Sequence, residues 1–335
     1  MENKSRSNEG TDAKAKVRQL ARAFQASRVL LTAVELGVFS VLAQEEKTSE
    51  AVAGTLATDS RATDRLLNAL VALGFLSKTG NRFSNYPVAQ RFLVPGQPEY
   101  LASLRHIGHL WDSWSTLTQA VRTGRAVLPR PSSKSEQKWI SAFVEAMHEF
   151  ALERIPHVVP LIDFTGVEKV LDVGGGSGAY SIAFARAQPQ IRAVVFDLPT
   201  VVPLAEHYIQ EAGLSERVRV QAGDFLQSDL GVGFDVAFIS AVIHSNSPHQ
   251  NVALLAKVHN ALVEGGQVVI HDFIMEESRT HPEHGALFAL NMLVQTEGGD
   301  TYTEEEVAGW LREVGFHSVH RKDTEAETTL ISARK

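Results

Sequence analysis

The 335-residue chain contains no cysteine. Disulfides, thiolate zinc sites and cysteine nucleophiles are therefore excluded, and the absence fits a cytoplasmic setting. Long apolar runs are missing too: no stretch approaches the roughly 20 residues needed to cross a bilayer, so no membrane partner is expected. The opening residues MENKSRSNEGTDAKAK are polar and lack the apolar segment of a secretory signal. Positive charge is in deficit, with 32 Lys and Arg against 39 Asp and Glu and a formal net charge of −7. Phosphate affinity needs clustered surplus cations, so no nucleic-acid partner is expected. What is present is a globular composition, 44% apolar, in a chain long enough for two compact domains.

The pattern divides the chain into a disordered head (1–14), a helical unit (15–105), linking helices (106–160) and an α/β unit (161–335). In the helical unit, Val17, Leu20, Phe24, Leu30, Leu31 and Val34 recur at helical spacing. TSEAVAGTLA and DSRATDRLLNALVALGFL read as further helices, the second capped by Asp59 or Ser60. FLSKTGNRFSNY then alternates around Thr79-Gly80-Asn81, a hairpin signature. Helix, helix, hairpin is the order of a winged helix. Its third helix balances Arg61 and Arg65 with Asp59 and Asp64, so a structural or dimerisation role is expected over DNA binding. LWDSWSTLTQAVRTG and WISAFVEAMHEFALERIPHVV read as helices joined by a loop, LPRPSSKSEQ.

After Thr165 short β-rich runs (KVLDV, RAVVFDL, RVRVQAG, FDVAFIS, GQVVIHDF) alternate with helices. Such alternation indicates a doubly wound parallel sheet with right-handed crossovers. Thr303–Val314 reads as a capped helix, and the final residues as two antiparallel strands at the sheet edge.

The first β-run opens into VLDVGGGSGAYS. Gly174, Gly176 and Gly178 let the backbone approach a ligand and turn into a helix whose amides face it. Gly174, Gly176 and Ala179 also fit the dinucleotide fingerprint, with Asp197 about 20 residues on, where an acid takes ribose hydroxyls. On this loop alone, nicotinamide and S-adenosylmethionine readings are close. Asp172, two residues before the loop, favours a cationic ligand over a pyrophosphate. Asp224-Phe225 pairs an acceptor for an adenine amino group with an apolar plate for its ring. The loop follows a helical N-terminal region, and the strand pair at the C-terminus suits the methyltransferase variant of the sheet.

Five motifs, LDVGGGSG, VVFDLPTVV, AGDFL, ALVEGGQVVIHDF and NMLVQTEGG, stand in order along this half. In them the chain resembles the S-adenosylmethionine-dependent O-methyltransferases of the caffeic acid, flavonoid and hydroxyindole type, with their bacterial natural-product relatives. The resemblance covers nearly everything past Lys14 and implies a homodimer formed through the winged-helix-like unit. It places Gly174 against the methionine part of the cofactor, Asp197 on the ribose and Leu198 beside the adenine. Asp224 and Phe225 hold the adenine. Ser240 falls where plant relatives often carry a lysine facing the cofactor.

The resemblance also puts a general base at His244, after the fourth strand, and its orienting carboxylate at Asp272. The chemistry asks for such a base: a phenol with pKa about 10 is a poor nucleophile until an imidazole near 6.5 accepts its proton. A sulfonium already activates the methyl group, so no metal is expected. His271, beside Asp272, should face the other side of its strand and is assigned no role. Two departures stand out. Plant members read His-Asp-Trp where this chain has His244-Ser245-Asn246, and their second flanking Glu falls near Thr301. A more acidic acceptor, or methylation at carbon or nitrogen, stays open.

Trp111, Phe143, Met147, Phe288, Asn291 and Met292 are the expected positions facing a small, aromatic acceptor. HPEH (281–284) lies in a loop without a third fixed ligand, and HIGH (106–109) reads as helix. A nicotinamide-dependent dehydrogenase and a winged-helix regulator that senses the cofactor are the alternatives from other classes.

Overall fold

The computed structural model describes residues 13–128 and 133–335, which fall into two compact units dividing after Gly108. The expected disordered head lies outside the described residues up to position 12. Ala13 and Lys14, assigned to that head, instead begin a helix, in keeping with the helix-forming run Ala13-Lys14-Ala15-Lys16.

In the first unit the helix Phe24–Leu36 stops at Gly37, whose φ of 77° only glycine adopts freely. A two-residue strand β1 (Lys47–Thr48) precedes the helix Ser49–Leu56, where the Thr48 hydroxyl accepts from the Ala51 N–H. Asp59 caps Ser60–Ala72 by accepting from the Ala62 N–H. β2 (Leu76–Thr79) and β3 (Arg82–Asn85) form the expected hairpin, and β1 pairs with β3 in the order β1-β3-β2. Phe39, Val52, Leu67, Leu70, Leu76 and Phe83 close this core. By contrast Val17, Leu20 and Phe24 are 69%, 78% and 54% exposed, so the first apolar stripe is left uncovered within the chain.

In the second unit, the helix Ser133–Val158 starts earlier than its apolar pattern indicates, because helix formers such as Lys134, Glu136 and Gln137 extend it upstream. Of the expected loop LPRPSSKSEQ, residues 129–132 lie outside the described ones. The sheet contains β4 (Lys169–Val173), β5 (Arg192–Asp197), β6 (Val218–Ala222), β7 (Phe234–Ser240) and β8 (Leu262–Asp272), all parallel. A short β9 (Ile274–Met275) pairs outside this sheet with β10 (Tyr302–Thr303). β11 (His317–Asp323) and β12 (Thr329–Arg334) add an antiparallel edge, giving the order β11-β12-β8-β7-β4-β5-β6. β8 begins four residues before the expected GQVVIHDF. Its register against β7 shifts at this start, where Gly266 leaves no room for a Cβ beside the Val263 carbonyl.

Side-chain alternation sorts the strands into two cores. Leu171, Val173, Ala237, Ile239, Val268 and Ile270 pack on one face against Leu254, Val258 and Leu311. Val170, Val195, Val236, Phe238 and Val269 pack on the other against Tyr180, Phe184, Ile209 and Val158. Parity then distributes the polar residues at the strand ends. Asp172, Ser240 and His271 share the second face, and Asp272 belongs to the first.

Candidate active site

A cavity of about 220 Å³ opens at the C-terminal ends of β4, β5 and β7. In a doubly wound sheet this is where ligands bind, beside the strand at which the order reverses. Asp172, Gly174, Gly176, Asp197, Leu198 and Ser240 line it, together with Gly175, Ser177, Tyr180 and Ala241. Residues far apart in sequence thus converge on one cavity.

The loop is shaped by what its glycines lack. Gly174 has φ 67°, and a Cβ on it would stand 2.7 Å from Val242 Cγ2. Gly175, not singled out by spacing, is still tighter: its Cβ would meet Asp172 Cγ at 2.7 Å and Val195 Cγ1 at 2.9 Å. Gly178 faces away from the cavity and takes φ 75° as it starts the helix Ala179–Ala187 against Val195 and Ile209. The Gly176 N–H donates to Asp197 Oδ2 at 2.8 Å and the Leu198 N–H to Asp197 Oδ1 at 2.7 Å. Burial raises the Asp197 carboxyl above its usual value, against the pull of those two N–H groups. Asp172 is fully buried and accepts from Ser181 Oγ at 2.7 Å. Burial pushes its carboxyl up to about 7, opposed by Ser181 and reinforced by the charge of Asp197. A carboxylate in such a place gains from a cationic partner. Leu198 lines the same cavity and remains 45% exposed, an apolar surface among its polar neighbours.

Asp224 and Phe225 sit in the loop after β6 and, unlike the residues above, do not line the cavity. Asp224 accepts from the Leu226 N–H and from Gln227 Nε2, both at 2.9 Å, and the Phe225 ring edge lies 3.8 Å from the position of a Cβ on Gly174.

The second centre is the turn after β7. His244 lies in the short helical turn Ile243–Ser245, and its Nδ1 is 2.7 Å from Asp272 Oδ1 at the end of β8. Both side chains are buried, at 10% and 1% exposure. Asp272 also accepts from the backbone N–H groups of Phe273 (2.8 Å) and His244 (3.4 Å). Burial alone would raise this carboxyl, but the charge and hydrogen bond of His244 outweigh it and hold it below the usual range. With Nδ1–H donated to the carboxylate, Nε2 keeps its lone pair for a proton. Phe288 stands edge-on to the His244 ring, centroids 4.8 Å apart. The backbone is tight here as well. Ala241 has φ 55°, rare for a residue with a Cβ and the kind of strain that collects at functional turns. A Cβ on Gly299 would collide with the His244 carbonyl.

His271 faces away from Asp272, as strand alternation requires, but it is not idle. Its Nδ1 meets Ser240 Oγ at 2.8 Å, its cross-strand neighbour, and its Nε2 meets Thr328 Oγ1 at 2.8 Å. Burial, with help from the nearby Arg154 charge, pushes it down to about 4, so the ring is neutral. His148 Nδ1 similarly holds Ser177 Oγ of the glycine loop at 2.8 Å. Strand register and helix faces carry the signal for these contacts, and the linear motifs do not.

The expected acceptor positions separate. Phe143 and Met147 line the glycine-loop cavity. Asn291 Oδ1 accepts from Trp114 Nε1 at 2.9 Å. Trp111 lies one turn before Trp114 on the helix Ser103–Trp114, which contains HIGH as expected. Met292 is buried in the core at 5% exposure. Thr301 is buried too, its hydroxyl donating to the Gly285 carbonyl at 3.3 Å. Among the described residues no group of three or more His, Asp or Glu side chains could hold a metal, and no helix is long and apolar enough to cross a membrane.

A doubly wound sheet with an added antiparallel strand pair and a glycine loop after its first strand is the architecture of a class I methyltransferase. Residues 114–317 match the O-methyltransferase domain and residues 18–95 the O-methyltransferase dimerisation domain, and the chain belongs to this S-adenosylmethionine-dependent family. It is 33% identical to 3-hydroxy-5-methyl-1-naphthoate 3-O-methyltransferase of Streptomyces sahachiroi, over 90% of this chain and 88% of that one. It is also 33% identical to the N,N-dimethyltransferase OxyT of Streptomyces rimosus, over 89% of each. The crystal structure of human N-acetylserotonin methyltransferase in complex with SAM superposes with a TM-score of 0.83 at 28% identity, covering 96% of this chain and 97% of that one.

Proposed function

We propose that this methyltransferase acts on a hydroxyl of a small aromatic acceptor, with His244 as general base and Asp272 as its orienting carboxylate. The His244 Nδ1–Asp272 Oδ1 contact of 2.7 Å carries this reading, because it leaves Nε2 as the free proton acceptor beside the aromatic edge of Phe288. Asp272 fixes the tautomer and stabilises the imidazolium that forms. S-adenosylmethionine supplies an already activated methyl group, so the chain's own task is to align the acceptor oxygen and remove its proton. Asp172, Gly174, Gly176, Asp197, Leu198, Asp224, Phe225 and Ser240 hold the cofactor. Trp111, Phe288 and Asn291 face the acceptor. The naphthoate-methylating relative supports an aromatic acceptor. The dimerisation-domain match and the exposed Val17, Leu20 and Phe24 support a homodimer.

The test is methyl transfer from labelled S-adenosylmethionine to a panel of phenols, hydroxyquinones and aromatic amines. Product on hydroxyls is expected, and His244→Ala should lower turnover by about 10²- to 10⁴-fold while cofactor affinity stays within about twofold. Unchanged turnover in that variant would remove the base assignment. A second reading, transfer to nitrogen, is supported by the likeness to OxyT and by Thr301 in place of a second carboxylate. Methylation of the amines alone would select it.

A further inference from the structure

Arg154 has no place in the readings above. It lies on the helix Ser133–Val158 and lines the cofactor cavity. Phe143, Met147, Phe150 and Arg154 succeed one another at spacings of four, three and four residues, so they share one helix face. All four line the cavity. From Phe143 to Arg154 the helix advances about 16 Å, enough to follow an extended nucleoside–amino acid ligand from end to end.

The two ends of that face differ. Near Phe143 the neighbours are Trp139, Val201, Leu204 and Tyr208, an apolar cluster just after Leu198. At Arg154 they are the Phe273 ring, 5.4 Å from the guanidinium carbon, and the Tyr180–His271–Ser240 group, on whose ionisation the Arg154 charge acts. Arg154 therefore stands at the end of the cavity beside β7, where Ser240 and Ala241 line it, opposite the end that suits a base and ribose.

Among the described residues Arg154 forms no ion pair, though it is half-buried. A guanidinium in that position gains from an anion with two oxygens. Asp172 lines the same cavity and does not pair with it. An acid and a base facing one cavity, each without the other, match the ammonium and carboxylate of an amino-acid zwitterion.

We propose that Arg154 binds the α-carboxylate of the methionine tail of S-adenosylmethionine, completing the zwitterion site with Asp172. This rests on the cofactor being S-adenosylmethionine. The ligand that isolates the contact is decarboxylated S-adenosylmethionine, which keeps adenosine, sulfonium and ammonium. Calorimetric titration of wild type, Arg154→Gln and Arg154→Lys with both ligands forms a cycle that reports the residue–carboxylate coupling. Arg154→Gln should weaken S-adenosylmethionine by about 10- to 100-fold, as for loss of one charged hydrogen-bonded contact. It should leave the decarboxylated ligand within about twofold, and Arg154→Lys should recover part of the loss. Equal weakening of both ligands would mean a structural role and overturn the proposal, as would unchanged affinity for S-adenosylmethionine. A wild type that binds neither ligand would contradict the cofactor itself.

Discussion

The neighbouring strands β4 and β7 run parallel and end side by side, yet the loops that follow them are built by opposite means. After β4 the site consists of absence: glycines at 174, 175 and 176 bare the backbone, and the Asp197 carboxylate ties down the Gly176 N–H. After β7 it consists of presence: His244, Asp272 and Phe288 are locked against one another by side-chain contacts. A cofactor shared by a whole family can be gripped through backbone, which no ordinary substitution alters. An acceptor that differs between members has to be met by side chains. The two regions should therefore fail differently when changed.

The largest effect is expected on the side-chain half. Asp272→Asn keeps the shape but lets the His244 ring adopt the wrong tautomer, and turnover should fall by about 10²- to 10⁴-fold. Cofactor affinity, measured by titration with S-adenosylhomocysteine, should hardly move, because Asp272 is not in the cavity lining. The depressed Asp272 carboxyl keeps its charge as pH falls until its own low pKa is reached, so the stability it lends persists through the mildly acidic range. Loss of cofactor binding in this variant would show that the two halves are one unit.

The glycine half should behave in reverse. Gly175→Val forces a side chain into Asp172 and Val195, and cofactor affinity should drop by about 100-fold together with the melting temperature. Gly176→Ala is the control. Its Cβ would meet nothing within 4 Å, so it should cost only the left-handed backbone penalty of about 1–2 kcal/mol. If both variants bind equally weakly, backbone conformation and not close approach sets the loop.

This contrast also explains what the sequence makes legible. The five parallel strands, the caps at Asp59 and Thr303, and the acids at 172, 197 and 272 can be read because alternation, capping and strand ends are local signals. His271 could be placed on its face, but its partner Ser240 depends on the register of β7 against β8. Arg154, His148 and the cavity positions of Phe143 and Met147 depend on how one long helix lies across the sheet. Met292 shares an apolar stripe with Phe288, and burial alone separates core from site. Gly175 carries no motif of its own, since its need comes from two neighbouring strands.

The smallest effect probes the Asp172 carboxyl beneath the glycine loop. In the free protein the buried Asp172 carboxyl is pushed up to about 7, so it takes up a proton near neutrality. A bound ammonium favours the ionised form and lowers that pKa, so binding releases a proton and affinity rises with pH. The expected gain for S-adenosylhomocysteine is about tenfold between pH 6 and pH 8, with proton release visible in buffers of different ionisation enthalpy. Asp172→Asn should bind more weakly and lose the slope. The buried Asp197 carboxyl is raised in the same direction, so a slope that survives in Asp172→Asn would transfer the role to it. A flat profile in the wild type would mean that Asp172 orders the loop through Ser181 and does not meet the ligand's charge.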